Sequence, residues 1–99
     1  MKIGILCACA PEFEPYRATL GGESTFIHGM QRTDGVLCGH EISAVFCGIG
    51  KVNAALGTMT LIRNCGADRI IMSGVAGAIR RGVHIGQCVM ITDCIYHDP

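Results

Sequence analysis

Hydrophobic residues in this chain fall in short blocks cut by glycine or charge, and the blocks differ in period. Residues 2–8 form a short apolar run, the mark of a buried strand. Pro11 then opens a helix expected to reach Leu20 and to stop at Gly21-Gly22. Pro15 interrupts that helix unless it still lies in the first turn. Residues 25–30, 35–38 and 41–47 read as three strands with polar or glycine punctuation, and Cys38-Gly39-His40-Glu41 reads as a hairpin turn. The best helical period lies in residues 51–65. Val52, Ala55, Leu56, Met59 and Ile62 recur at i, i+3, i+4, i+7 and i+10, an apolar stripe of the kind that faces a core. Gly57 weakens the middle of that helix by about 1 kcal/mol relative to alanine, a cost that suggests close packing there. Gly66 is expected to close it. Residues 69–73 read as a second buried strand running into Gly74-Val75-Ala76-Gly77. A polar loop with Arg80 and Arg81, a turn at Gly82 and a last strand over 87–92 follow.

The order strand, helix, three strands, helix, strand, strand predicts an α/β fold with a mixed, twisted sheet and flanking helices. Residues 3–7, 45–47 and 70–72 are expected to be neighbouring buried strands. Each is followed by glycine or an acid, and ligands of open α/β sheets bind outside the carboxyl ends of strands. The three loops should therefore meet at one site. The clearest unit is VFCGIGKVNAAL, residues 45–56, a strand, a glycine turn and a helix start. Glycine allows close backbone approach, and a helix start offers free N–H groups. The stretch lacks both the spacing and the Ser/Thr of a Walker loop. It also lacks the third glycine of a dinucleotide fingerprint. A plain tight turn and a ligand loop both fit it.

Composition narrows the classes. Ninety-nine residues suit one small domain. Hydrophobic residues make up 49% and charged ones 16%, which suggests a buried sheet or a surface covered by more protein. Net charge is zero, so nothing draws the chain to nucleic acid or an acidic membrane. The lack of tryptophan and the few aromatics also argue against base stacking. Apolar runs fall well short of the ~20 residues of a membrane span. The run in MKIGILCACA is too brief for a secretory signal before Pro11, Glu12 and Glu14. Seven cysteines are scattered without C-x-x-C or zinc spacing. They read as reduced, core-like residues of a cytoplasmic protein, with no metal site.

Four stretches carry a resemblance. MKIGILCACAPEFE, GIGKVNAALG, IIMSGVAGAI and the final YHDP stand in the order and spacing found in the 5′-methylthioadenosine/S-adenosylhomocysteine nucleosidases. The chain resembles that family, part of the purine nucleoside phosphorylase superfamily, over essentially its whole length. The resemblance implies the N-terminal half of a nucleosidase-like fold and hydrolysis of an N-glycosidic bond to release adenine, with no cofactor. It implies a purine nucleoside as ligand, and either a homo-oligomer or a complementary carboxyl-terminal half as partner. In the family the carboxyl half brings the acid for the leaving purine, the groups that hold the ribose hydroxyls and an arginine beside the water. No residue here takes those roles, so the chain by itself is expected to be inactive.

The resemblance also distributes roles. Glu12 falls at the water-activating carboxylate; on its own it also fits an ordinary first-turn helix acid. Cys9 and Ile49 correspond to the lining of the 5′-alkylthio pocket, Cys9 in place of methionine; both also fit simple core packing. Ala76 and Gly77 match the family's close backbone approach to the ligand. Val75 stands where the family has a serine whose hydroxyl helps position the water, and valine cannot hydrogen-bond. Ser73, two residues upstream, shares a face with Val75 if the segment is extended. His97 and Asp98 would point to opposite faces of a strand, which suits a structural or chain-end role. Two other readings compete. A nucleoside phosphorylase needs a cation for phosphate in the first loop, where Glu12 would repel it and Arg17 lies far into the helix. A truncated, non-catalytic chain would only bind a nucleoside or pair with a related subunit.

Overall fold

The centre of the protein is a strand buried on both sides. The computed structural model describes residues 1–21 and 23–95. In it β1 (Lys2–Cys7) lies between β4 (His40–Phe46) and β5 (Arg69–Met72), parallel to both. With β2 (Thr25–Ile27) and β3 (Met30–Leu37) they make one mixed five-stranded sheet, ordered β2-β3-β4-β1-β5. The three parallel neighbours are those expected from residues 3–7, 45–47 and 70–72. A continuous apolar run such as IGILC is what a strand covered on both faces requires.

Alternation along β1 sends its side chains to two cores. Ile5 and Cys7 pack with Phe13, Leu20, Ile42 and Ala44, the side covered by α1 (Ala10–Leu20). Leu6 packs with Met30, Val45, Cys47, Leu61 and Cys65, the side covered by α2 (Lys51–Arg63). Helices on both faces of the sheet make a three-layer α/β arrangement. Pro15 is the sixth residue of α1, past the first turn, and the helix continues through it to Gly21. The carbonyl that loses its partner belongs to exposed Pro11, where water can replace the missing N–H.

Several expectations are corrected. Residues 25–30 and 35–38 are not two strands with a gap between them. β3 runs from Met30 to Leu37 straight through Gly35, and His28-Gly29 forms the turn before it. His28 and Gly29 both have positive φ, as do Cys38 and Gly39 in the next hairpin, the requirement of a type I′ turn. Gly35 is present for a close approach: a Cβ there would lie 2.6 Å from the Leu20 carbonyl oxygen. In α2 the stripe of Val52, Leu56, Met59 and Ile62 faces outward and is exposed. Gly57, Thr60 and Leu61 face the sheet instead. Strand 69–73 ends at Met72 and is an edge strand, with Ile71 and Met72 exposed rather than buried. Residues 87–92 form no strand. Strand preference depends on cross-strand neighbours, and no described strand lies beside them.

Candidate active site

Because β1, β4 and β5 run parallel, the loops that follow them leave the same end of the sheet. Two bonds carry the pairing one step beyond the strands: Cys47 N–H donates to the Cys7 carbonyl (2.9 Å) and Ser73 N–H to the Leu6 carbonyl (3.1 Å). The start of α1 lies directly after β1. Cys9 is its N-cap residue, and its carbonyl accepts the N–H groups of Glu12 and Phe13. Glu12 is therefore the third helical residue, from which a side chain can reach back over the helix start.

Glu12 does so with both oxygens. Oε1 accepts the Ala8 N–H at 3.2 Å, and Oε2 accepts the Val75 N–H at 2.9 Å. One carboxylate thus joins the loop after β1 to the loop after β5. The approach is close enough that a Cβ on Gly74 would stand 2.6 Å from Oε2. These donors hold the Glu12 carboxyl below the usual carboxylate range. The Val75 N–H is the largest cause, and Ala8 N–H and the Cys9 thiol and N–H add to it against the opposing effect of partial burial. Glu12 is thus ionised at neutral pH, the form that can accept a proton.

The carboxylate opens on a cavity of about 430 Å³ lined by Cys9, Pro11, Glu12, Pro15, Tyr16, Ser73, Gly74 and Val75. Three of the residues expected at a site therefore meet here: Glu12, Cys9 and Val75. Val75 takes part through its backbone N–H, while its side chain stands 87% exposed. Ala76 and Gly77 follow on the same exposed segment. Ile49 lies in the turn after β4 at the same sheet end, 79% exposed and outside this lining. His97 and Asp98 lie outside the described residues.

Tyr16 and Ser73 carry more of the site than their sequence signal suggested. The Tyr16 hydroxyl and Ser73 Oγ are 2.6 Å apart, a second tie between α1 and the end of β5. Tyr16 sits one helical turn after Glu12, the i, i+4 spacing that places two side chains on one face, and that spacing is legible in the sequence. Below the site, burial pushes the Cys7 thiol up to about 12, with the Glu12 charge adding to it, and burial raises Cys47 as well. Neither is a nucleophile at neutral pH. Among the described residues no group of three His, Cys, Asp or Glu side chains is placed to hold a metal ion. Arg17, the cation nearest in sequence, pairs with Glu14 on the exposed side of α1.

Known proteins resemble this chain in sequence and in fold. The sequence profile of the phosphorylase superfamily matches residues 2–98. A 5′-methylthioadenosine/S-adenosylhomocysteine nucleosidase of Bacillus cereus (strain B4264) is 33% identical over 99 residues, covering 99% of this chain and 43% of that relative. The structure of the nucleosidase of the same name from S. pneumoniae, bound to a transition-state inhibitor, superposes with a TM-score of 0.80. Identity there is 32%, over 87% of this chain and 38% of that one. Futalosine hydrolase of Helicobacter pylori superposes with a TM-score of 0.69 at 35% identity, over 78% of this chain and 34% of that one. The chain thus spans less than half the length of the relatives it matches. By sequence and by fold, this chain belongs to the phosphorylase superfamily.

Proposed function

We propose that these 99 residues are the N-terminal, base-bearing part of a nucleosidase that hydrolyses the N-glycosidic bond of 5′-methylthioadenosine or S-adenosylhomocysteine and releases adenine. The observation that carries this reading is the Glu12 carboxylate. It is ionised, pinned by backbone N–H groups of two loops and open to a cavity at the carboxyl end of the parallel strands. Departure of a purine leaves an electron-poor anomeric carbon, and water attacks it best when a nearby base takes the proton. In that step the water oxygen bonds to the anomeric carbon and its proton passes to Glu12. The pair of the broken C–N bond leaves with adenine, which needs a proton in turn. The relatives of that activity extend well beyond the length matched here, and the groups that serve the leaving purine and the ribose belong to that further length.

A hydrolase fits better than a phosphorylase. Glu12 faces the cavity, and Arg17, the one cation in the first loop and helix, is engaged with Glu14. Phosphate would meet a carboxylate with no lining cation to offset it. The ligand is a purine nucleoside, and the protein acts in the cytoplasm, where seven free thiols stay reduced. The exposed apolar face of α2 and the open edge at β5 fit association with a second copy or with the carboxyl-terminal remainder. The test is adenine release from 5′-methylthioadenosine by the chain alone and with the carboxyl-terminal segment of the Bacillus cereus relative supplied in trans. Little or no release alone, turnover with the segment and its abolition by Glu12→Gln are expected. Robust release by the chain alone, unchanged in Glu12→Gln, would overturn both mechanism and site.

A further inference from the structure

Glu12 shares its cavity with two hydroxyls. Tyr16 and Ser73 both line it, 2.6 Å apart, and the rest of the lining is Cys9, Pro11, Pro15, Gly74 and Val75. Apart from Glu12 and the Cys9 thiol, the hydroxyl pair supplies all the side-chain hydrogen-bonding capacity around the cavity. Proton counting then defines what the pair offers. Two hydroxyls carry two protons, and the bond between them uses one. One proton remains for a third partner, whichever of the two oxygens is the donor within the pair.

The opposite partner is an ionised carboxylate, which can only accept. Oε1 already takes the Ala8 N–H and Oε2 the Val75 N–H, and the Cys9 thiol and N–H also act on the carboxylate, so a further ligand of Glu12 competes with Cys9 for the remaining acceptor sites. A cavity whose lining holds both an acceptor and one free O–H suits a small group that donates and accepts at once, such as water. The Val75 side chain supplies no donor, and its backbone N–H is already engaged by Glu12. The same α1 face presents Glu12 and Tyr16, and the same segment presents the Val75 N–H and Ser73 Oγ. Two parallel ties therefore frame one opening.

We propose that the Tyr16–Ser73 hydroxyl pair is the donor side of a water site whose acceptor side is Glu12. The chain then positions its attacking water with hydroxyls from α1 and the end of β5, with no need of one at residue 75. This inference rests on the nucleosidase reading above. It is tested in the same adenine-release assay, with the carboxyl-terminal segment supplied, on Tyr16→Phe, Ser73→Ala and Ser73→Thr. One of Tyr16→Phe and Ser73→Ala removes the hydroxyl that donates to the water and the other removes the partner that orients it; kcat should fall in both, about tenfold where the donor itself is lost, with KM nearly unchanged. The double variant should fall little further, because the pair acts as a unit. Ser73→Thr keeps an Oγ and should retain turnover. If Glu12→Gln abolishes release while Tyr16→Phe and Ser73→Ala match the unmodified chain, the inference fails and the nucleosidase reading stands. If kcat falls only in step with the thermal midpoint, or Ser73→Thr does not rescue, the pair is a structural tie and the inference is overturned. If the unmodified chain releases no adenine in either form, the reading fails and takes the inference with it.

Discussion

Glu12 shows how one side chain can carry structure and chemistry together. Its two oxygens satisfy backbone donors from two loops, so Glu12→Gln, which keeps a single acceptor oxygen, leaves one N–H facing an NH₂ group. At this partly exposed site the expected cost is about 1 kcal/mol. The sign of its pH dependence follows from the lowered carboxyl pKa. The stabilisation is present above the unfolded value of about 4.3 and is lost as pH falls through the lower folded value. The gap between the urea midpoints of the two proteins should be full at pH 7 and should shrink as pH falls below the unfolded value of about 4.3. A constant gap would show that the carboxylate charge is not what ties the loops. The thiols make a second residue-scale prediction. Cys7 and Cys47 are buried and held protonated, whereas Cys38, Cys88 and Cys94 are exposed. Brief iodoacetamide treatment of the folded chain at neutral pH, read by peptide mass, should modify the exposed three and spare Cys7 and Cys47.

At the scale of the element, α2 separates two signals that a sequence mixes. Periodicity reported an apolar stripe, and the stripe exists, but it does not face the sheet. Contact with the sheet is made through Gly57, Thr60 and Leu61, because a small residue lets the helix axis come near Leu6 and Cys47. A Cβ on Gly57 would stand 2.5 Å from Leu6 Cδ1 and 2.7 Å from Cys47 Cβ. Two effects therefore oppose each other in Gly57→Ala. Helix propensity favours alanine by about 1 kcal/mol, and overpacking a fixed core costs about 1–3 kcal/mol. Overpacking should win, and the thermal midpoint should fall. A rise would mean that the helix can shift outward at little cost. Gly35 followed the same logic in β3. It read as the first residue of a strand over 35–38, yet it lies inside β3, where the end of α1 lies against the strand.

At the scale of the molecule, much apolar surface remains uncovered. Val52, Leu56, Met59 and Ile62 on α2 are about half exposed or more, and Ile79, Ile85 and Met90 in the irregular segment after β5 are almost wholly so. Among the described residues no helix is long and apolar enough to cross a membrane, so a bilayer-spanning helix does not account for this surface. The chain should therefore associate in solution at tens of micromolar, a range typical of association-prone species on the order of μM–mM. Sedimentation velocity should show a species larger than one chain, reduced by Val52→Lys with Leu56→Lys. A stable monomer at those concentrations would refute it. That β1 and β4 would be neighbours was readable because both are short apolar runs followed by glycine or an acid, and such runs belong at the centre of a parallel sheet. The fate of 87–92 was not, because a run of strand-forming residues becomes a strand only beside another.

The sequence by itself determined the α/β class, the parallel set of β1, β4 and β5, the loops that share an end of the sheet and the candidacy of Glu12. All of these depend on local period, on glycine and proline placement, or on motif order along the chain. Only the tertiary structure decided which face of α2 meets the sheet, that β5 stands at an edge, and that Glu12 takes its donors from Ala8 and Val75. It alone brought Tyr16 within 2.6 Å of Ser73, 57 residues away in the chain. The reason is physical. Period states that a face is apolar and not what covers it. A contact between distant residues depends on how closely backbones approach, and here Gly57 and Gly74 set that approach.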